Sequence, residues 1–177
     1  MDIYIKETNY HIGKGVFAAR NFKKGELVLR VTGEVLPYQT IYSIQIDWGR
    51  HLDPDPPAKY LNHSCEPTTG VRSLPNGWPE FVALRDIQKD EEITFDYAMT
   101  EYCHYPRSDP GLEFELTCHC PAPGCRGRLG YYSELSQELK DKYKGFFAAY
   151  LIRNGRPPGE VNPNPDGRCS QGEKHER

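Results

Sequence analysis

Three short stretches of this 177-residue sequence hold side chains whose types and spacing could do chemistry. The first is Cys118-His119-Cys120-Pro121-Ala122-Pro123-Gly124-Cys125, three thiols in a C-x-C-x4-C pattern with proline and glycine in the bend. Thiols that close together share a cation, pair in a disulfide, or lie free in a loop. Zinc binds thiolates at ~2.3 Å in a tetrahedron, so three local cysteines supply one side of a shell and a fourth ligand must come from elsewhere. Cys65 and Cys103 are the candidates. The N-terminus lacks the charged-then-apolar run of a secretory signal, so the expected setting is intracellular, whether nuclear or cytoplasmic. In that setting the six cysteines read as thiols or metal ligands rather than disulfides.

The second stretch is Lys59-Tyr60-Leu61-Asn62-His63-Ser64-Cys65-Glu66-Pro67. A polar Asn-His-Ser-Cys run interrupts an extended region. On its own, His63 reads as a hydrogen-bonded structural histidine and Asn62 as the cap of a turn. The third is Glu91-Glu92-Ile93-Thr94-Phe95-Asp96-Tyr97, where alternation puts Ile93, Phe95 and Tyr97 on one face of a strand. A tyrosine hydroxyl at the end of a buried strand needs a hydrogen-bond partner. That partner is either a core acceptor or a reacting group.

The elements that must position these residues are short. Sixteen glycines and fifteen prolines call for many turns, and 37% hydrophobic with 27% charged residues fits one globular domain. A net charge of −3 with no long basic run disfavours direct nucleic-acid binding, and the longest apolar stretch, Phe146 to Ile152, is too short to span a membrane. Strands are expected over residues 2–7, from Gly13 to Ala18, from Glu26 to Val31, up to Leu36-Pro37, over 41–48, from Trp78 to Leu84 and from Glu92 to Tyr97. Residues 49–60, with three prolines, and 100–117 read as loops, the latter with a short strand near Phe114-Glu115-Leu116. Ala19 to Leu27 echoes Leu84 to Ile93, which is either a repeated strand–turn–strand unit or a chance use of a common turn. Leu135, Leu139, Tyr143, Phe146, Phe147, Tyr150 and Leu151 fall at helical spacing and predict one helix from Ser133 to Arg153, capped by Ser133 and stopped by Asn154-Gly155. Residues 155–177, rich in proline, glycine and charge, read as a disordered tail with Cys169 alone in it.

Taken in order, Gly13-Lys14-Gly15-Val16-Phe17, Asn62-His63-Ser64-Cys65, Glu91 to Tyr97, and Cys118 to Cys125 followed by Arg126-Gly127-Arg128-Leu129-Gly130 resemble the SET-domain family of protein lysine methyltransferases with its post-SET cysteine segment. The match runs from about Ile3 to Gly130. The resemblance implies a mainly β fold of several small sheets around a pseudoknot, a rare exception to un-knotted connections, with a C-terminal helix. It divides the chain into a SET domain over 1–117, a post-SET zinc segment over 118–130, the helix over 131–154 and the tail over 155–177.

The same resemblance implies that S-adenosylmethionine enters from one face and a protein or peptide lysine from the other. Lys14, Gly15, Val16 and Phe17 would contact the cofactor mostly through backbone, Asn62 and His63 would hold its methionine and adenine parts, and Leu129 would cover it. Tyr97 would be the catalytic tyrosine, also against the cofactor. Phe95 would set the number of methyls added, leaving room for two or three. Cys65, Cys118, Cys120 and Cys125 would bind a structural zinc, the family drawing its fourth thiolate from the Asn-His-x-Cys run. The chain departs from the family where Thr68 follows Pro67, where Lys59 stands in place of a common arginine, and in the shortness of residues 37–58, which leaves the substrate open. A catalytically silent SET-like module that binds a peptide or partner is the alternative; the intact Gly-Lys-Gly, Asn-His and Tyr97 argue against it.

Overall fold

The computed structural model describes residues 2–8, 13–102 and 117–153. The strand expected near Phe114, the tail over 155–177, Cys103 and Cys169 lie outside the described residues. Ten short strands form three small sheets. The first joins β1 (Ile3–Glu7), β2 (Lys14–Ala18), β10 (Glu92–Phe95) and β7 (Asn62–His63), in that order. The second sets β9 (Pro79–Ala83) between β3 (Leu27–Arg30) and β8 (Thr69–Ser73). The third sets β6 (Arg50–Pro54) between β4 (Gly33–Leu36) and β5 (Ile44–Asp47). Pairing is antiparallel except between β7 and β10, where Asn62 lies beside Thr94 and His63 beside Phe95. That parallel contact brings the second and third chemical stretches together.

The core lies where the sheets meet. Phe22, Phe81, Leu52, Ile87, Ile93 and Met99 are almost wholly buried, and each such side chain contributes about 1.5–3 kcal/mol by leaving water. β10 is tied across sheets by threonines. Thr94 N–H donates to Thr68 Oγ1 at 2.8 Å, and Thr69 Oγ1 donates to the Thr94 carbonyl at 2.8 Å. A strand whose backbone N–H and carbonyl are both taken by side chains of a neighbouring run has little freedom to shift register.

The internal echo is a physical repeat. Phe22 and Ile87 pair antiparallel, each N–H donating to the other's carbonyl at 2.9 Å. Around them the contacts occur twice. Lys23 N–H donates to Glu26 Oε2 as Gln88 N–H does to Glu91 Oε2, both at 2.9 Å. Lys24 N–H donates to Asp86 as Lys89 N–H does to Asn21. Gly25 and Asp90 both turn through positive φ, at 86° and 68°. The two units therefore face each other about an approximate two-fold axis, which chance use of a common turn does not produce.

Three expectations need correction. Residues 49–60 are not all loop: β6 is the central strand of its sheet, with His51 and Leu52 fully buried, and a 3-10 turn spans Ala58–Tyr60. β8 went unseen because in Thr-Gly-Val-Arg-Ser the two strand formers, Thr69 and Val71, are separated by glycine and followed by arginine and serine. The single helix over 133–153 is instead a 3-10 turn (Tyr132–Glu134), α1 (Gln137–Lys142) and α2 (Ala149–Ile152). Ser136 rather than Ser133 caps α1, accepting from Leu139 N–H. Gly145, at φ 89°, ends the first helical piece. Beyond it the backbone bonds outward: Val71 N–H donates to the Phe146 carbonyl and Ala148 N–H to the Met99 carbonyl. The apolar stripe still reaches the core, with Leu135, Tyr143, Phe147, Tyr150 and Leu151 buried. Among the described residues no helix is long and apolar enough to cross a membrane.

Candidate functional site

β2, β7 and the end of β10 converge on Asn62. Its Nδ2 donates to the Lys14 carbonyl at 3.0 Å and to Glu92 Oε1 at 2.8 Å. Both amide hydrogens are spent on protein, which leaves Oδ1 as an acceptor. Gly15 is needed for this approach, since a Cβ there would sit 2.5 Å from Glu92 Oε1 and 3.1 Å from Asn62 Nδ2. Val16 points into the core, and Phe17 packs its ring 5.8 Å from Tyr4. Both lie in β2 between β1 and β10 and are paired on either side.

Two cavities flank Asn62. One, of ≈ 690 Å³, is walled by Lys14, Tyr42, Tyr60, Leu61, Phe95 and Glu101. The other, of ≈ 860 Å³, lies between His63, Thr68 and Glu92 on the sheet side and the cysteine segment, including Cys118, Cys120 and Leu129, on the other. Asn62 and Tyr97 line both. Gly15, Val16 and Phe17 line neither.

Tyr97 opens a 3-10 turn, Tyr97–Met99, capped by Asp96. Its hydroxyl donates to the Leu61 carbonyl at 3.3 Å, and its N–H donates to His63 Nδ1 at 3.2 Å. Burial, with the charge of Glu101 adding to it, pushes the phenol well above its ordinary pKa. Tyr97 therefore stays protonated at neutral pH. It can donate and accept hydrogen bonds, and it cannot act as a phenolate base. Phe95, almost fully buried, stacks edge-on to Phe81 at 4.8 Å and lies 5.0 Å from the Tyr97 ring.

His63 is held neutral, its pKa pushed down to about 4 by burial, with Asp96 opposing and Arg126 reinforcing. Because Nδ1 accepts from Tyr97 N–H, the ring proton sits on Nε2, 3.3 Å from Cys65 Sγ. Around Cys65, the ligand atoms of His63, Cys65, Cys118 and Cys120 lie within 4.8 Å of one another. Cys65 Sγ and Cys118 Sγ are 3.8 Å apart. A tetrahedral thiolate shell with ~2.3 Å bonds has edges of roughly 3.8 Å, so this pair already has the spacing of two ligands. Cys125 stands beside the group, with Gly127 N–H donating to its sulfur at 3.4 Å. A protonated Nε2 has no lone pair to give, so His63 fits as a donor to the Cys65 sulfur. Cys125, whose sulfur is not among those four atoms, is the candidate for a fourth thiolate.

Sequence reasoning missed two contributors. Arg126 makes a two-pronged ion pair with Asp96, at 2.6 and 2.9 Å, and Asp96 is 1% exposed. This pair clamps the cysteine segment to the strand that carries Tyr97. The Cys-Arg-Gly run and the Phe-Asp-Tyr run contained both residues, with no signal that they pair. The second contributor is Glu101. Its carboxylate is buried and accepts from Gln45 N–H at 2.8 Å and Gln39 Nε2 at 3.0 Å, with the Thr100 hydroxyl 3.2 Å away. Burial outweighs these bonds and pushes its pKa up from 4.5 to about 7.

The sign of that shift makes a prediction. A carboxylate whose pKa rises on folding favours the fold below the unfolded value of 4.5 and loses that advantage as pH climbs through about 7. The loss amounts to about 3 kcal/mol. Glu101→Gln carries no charge, so it should melt at least roughly 5 °C above wild type at pH 8, with the difference gone at pH 4. Thermal denaturation at the two pH values checks this.

The family model described as "SET domain" matches residues 13–98. The chain is 30% identical over 137 residues to Histone-lysine N-methyltransferase ATX2 of Arabidopsis thaliana, covering 65% of this chain and 12% of that protein. It is 27% identical over 139 residues to Histone-lysine N-methyltransferase ASHH3 of the same plant, covering 67% of this chain and 36% of that one. It thus spans well under half the length of either relative. A solved structure of a humanized mutant of the Chaetomium thermophilum Polycomb Repressive Complex 2, bound to the inhibitor GSK126, aligns with 55% of this chain and 15% of that chain, at 21% identity and a TM-score of 0.48. The SET domain family model thus matches the stretch of chain that brings Asn62, His63 and Tyr97 together.

Proposed function

We propose that this chain transfers a methyl group from S-adenosylmethionine to the side-chain amine of a lysine in a protein or peptide. The observation that carries this reading is the pair of cavities meeting at Asn62 and Tyr97. A two-substrate transfer needs separate approaches to one point. The names of the relatives, histone-lysine N-methyltransferases, support the reaction class and make a histone tail the first substrate to try.

The ≈ 860 Å³ cavity is of a size suited to a cofactor. Asn62 Oδ1 and the backbone of His63 would hold the polar ends of S-adenosylmethionine and Leu129 would cover it; Lys14 walls the facing cavity and Gly15, Val16 and Phe17 line neither, so the backbone contacts that the resemblance gives these four do not follow from this cavity. When bound, it supplies an electrophilic methyl on a sulfonium. The chain does the rest by position. Phe95, Tyr60 and Leu61 wall the facing cavity with apolar surface, which lowers the pKa of an incoming lysine amine by desolvation. The Tyr97 hydroxyl and the Leu61 carbonyl, 3.3 Å apart, form a polar edge at the junction that can orient the amine's lone pair. Orientation of this kind is worth up to roughly 7–11 kcal/mol in favourable systems. Cys65, Cys118, Cys120 and Cys125 would bind a structural zinc that shapes the wall of the cofactor cavity.

Incubation with methyl-labelled S-adenosylmethionine and histone H3 should move label into the histone. A protein that binds S-adenosylmethionine in calorimetry yet labels neither histones nor any band of a cell extract would be a binding module instead. Phe95 makes a finer prediction. Phe95→Tyr adds a hydroxyl into the cavity beside Tyr97, crowding an amine that already bears a methyl. Wild type should accumulate di- or trimethyl product, and Phe95→Tyr should stop mainly at one, as read by mass spectrometry of the product peptide.

A further inference from the structure

Residues 39–44 form a continuous stretch of the wall of the ≈ 690 Å³ cavity. Its middle is exposed, with Ile41 at 48% and Tyr42 at 44%. It is also closed on itself: Thr40 N–H donates to Ser43 Oγ at 2.8 Å, and Ser43 N–H donates to Thr40 Oγ1 at 3.0 Å. A turn bonded within itself moves as a unit, so its ties to the rest of the protein decide where it stands. The outer ties are part-exposed: Thr40 Oγ1 donates to Asp53 at 3.3 Å, and Lys59 Nζ lies 4.7 Å from the Tyr42 ring centre. The buried tie is Glu101. One oxygen of its carboxylate accepts from Gln45 N–H at 2.8 Å and the other from Gln39 Nε2 at 3.0 Å, so it grips the chain just before the turn and just after it. Gln45 returns the bond, its Oε1 accepting from Tyr102 N–H at 3.2 Å. Among the described residues β5 pairs with β6 alone, and these side chains close its other edge. Glu101 is joined as firmly to Tyr97, for its N–H donates to the Tyr97 carbonyl at 2.9 Å. Tyr132 N–H donates to its own carbonyl at 2.8 Å.

We propose that Glu101 is a positioning residue, whose carboxylate sets the spacing between the Tyr97 turn and the wall over 39–44, and through that spacing the fit of the peptide that binds there. Its backbone is fixed to the Tyr97 turn and its side chain to the wall, so the spacing is the reach of one side chain. That the ligand is a lysine-bearing peptide rests on the methyl-transfer reading; the link between turn and wall does not. Stability is not what the carboxylate supplies. Burial pushes its pKa up to about 7, so once ionised it weakens the fold, and a glutamine of the same length would not. Reach and charge can be told apart. Aspartate keeps the charge and draws the carboxylate back by about 1.5 Å, the length of one C–C bond, too far to keep both bonds at hydrogen-bond distance. Glutamine keeps the reach. Its oxygen can hold Gln45 N–H, and Gln39 can turn its amide to offer the new NH2 group Oε1, a buried acceptor with no hydrogen-bond partner.

Glu101→Asp and Glu101→Gln are compared with wild type, as full chains, in two measurements. The first is amide hydrogen exchange, which needs no turnover. Amides of residues 40–45 should exchange about tenfold faster in Glu101→Asp, the worth of one hydrogen bond to a charged group. In Glu101→Gln the change should be smaller, and the core strands should keep wild-type rates in both. The second is steady-state methylation of a histone H3 peptide. Peptide KM should rise about tenfold in Glu101→Asp and less in Glu101→Gln, with kcat and S-adenosylmethionine affinity close to wild type. Thermal melting shows which variants are folded. If Glu101→Asp does not fold, Gln39→Leu cuts the same link from the wall side and should shift exchange and KM in the same direction. Equal exchange at 40–45 in wild type and in the shortened or cut variant overturns the link. A KM raised more by Glu101→Gln than by Glu101→Asp overturns it as well, because charge and not reach would then act on the substrate. Faster exchange with unchanged KM, in a protein that transfers methyl, overturns the part played in peptide fit. A wild type that methylates nothing removes the proposed reaction, and exchange then decides the link by itself.

Discussion

Replacing Tyr97 by phenylalanine should cut methyl transfer by at least about 10²-fold while leaving S-adenosylmethionine affinity within about two-fold of wild type, the pattern of a group that acts only on the reacting atoms. The structure separates the two effects. Packing comes from the ring, which lies 5.0 Å from Phe95 and 5.2 Å from His63 and which phenylalanine retains. The backbone N–H that fixes His63 is also unchanged. Only the hydroxyl goes, together with its long bond to Leu61, a loss of about 0.5–1.5 kcal/mol in stability. Tyr97 lines both cavities. Its raised pKa rules out a phenolate, so its part is orientation, and the loss should appear in kcat. Calorimetry with the cofactor and single-turnover label transfer measure the two quantities separately. A Tyr97→Phe protein with wild-type turnover would take the hydroxyl out of the mechanism.

Local periodicity foretold what local forces decide. Alternation found β1 and β10, and apolar or β-branched runs found β2, β3 and β9, because in each the strand formers are adjacent in the sequence itself. β8 and β6 escaped because their burial is conferred by neighbours. Thr69 and Gly70 are buried under other elements, and Phe146 packs so closely over Gly70 that a Cβ there would lie 2.6 Å from it. The apolar stripe after Ser133 was read at the right residues and in the wrong shape. Helical spacing reports which residues turn inward, and Gly145 with the outward bonds of 146–148 decides that the backbone does so in pieces.

The site shows the same division. Asn62, His63, Cys65 and Tyr97 were legible as ordered stretches that resemble a family. Their physical connection was not, since His63 reaches both Tyr97 N–H and Cys65 Sγ only because β7 lies parallel to β10. Glu101 and Gln39 belong to no recognisable stretch. They stand 62 positions apart and meet only after folding, so sequence spacing carries no trace of the pair.

Removing the metal, or replacing Cys65 by serine, should be the other large loss, and it should reach the cofactor cavity before it reaches the core. The cysteine segment forms one wall of that cavity. Apart from its sulfurs it is held to its surroundings by few contacts among the described residues: the Arg126–Asp96 pair, Gly124 N–H on Glu66 at 3.2 Å, and Arg128 on Glu134 at 3.1 Å. Structural zinc sites are worth about 10–16 kcal/mol in small peptides, far more than these contacts can replace. The three sheets, whose core lies away from the sulfurs, should persist. The expected result is about one zinc per chain in wild type and little in Cys65→Ser. Cofactor affinity should fall more than about tenfold in the variant, with the main β signal in circular dichroism retained. Cys125→Ser should lose metal as well, whereas His63→Gln should retain most of it, because His63 supplies a proton to Cys65 and no lone pair to the metal. Retention of full cofactor affinity and activity by a chelated protein would uncouple the wall from the clip. Loss of zinc in Cys103→Ser but not in Cys65→Ser would move the fourth thiolate to Cys103. The coupling has a short physical route: Asn62, which fixes the Lys14 backbone, and Cys65, which fixes the wall, are three residues apart on one rigid run, so whatever loosens the sulfur end also loosens the end that holds the cofactor.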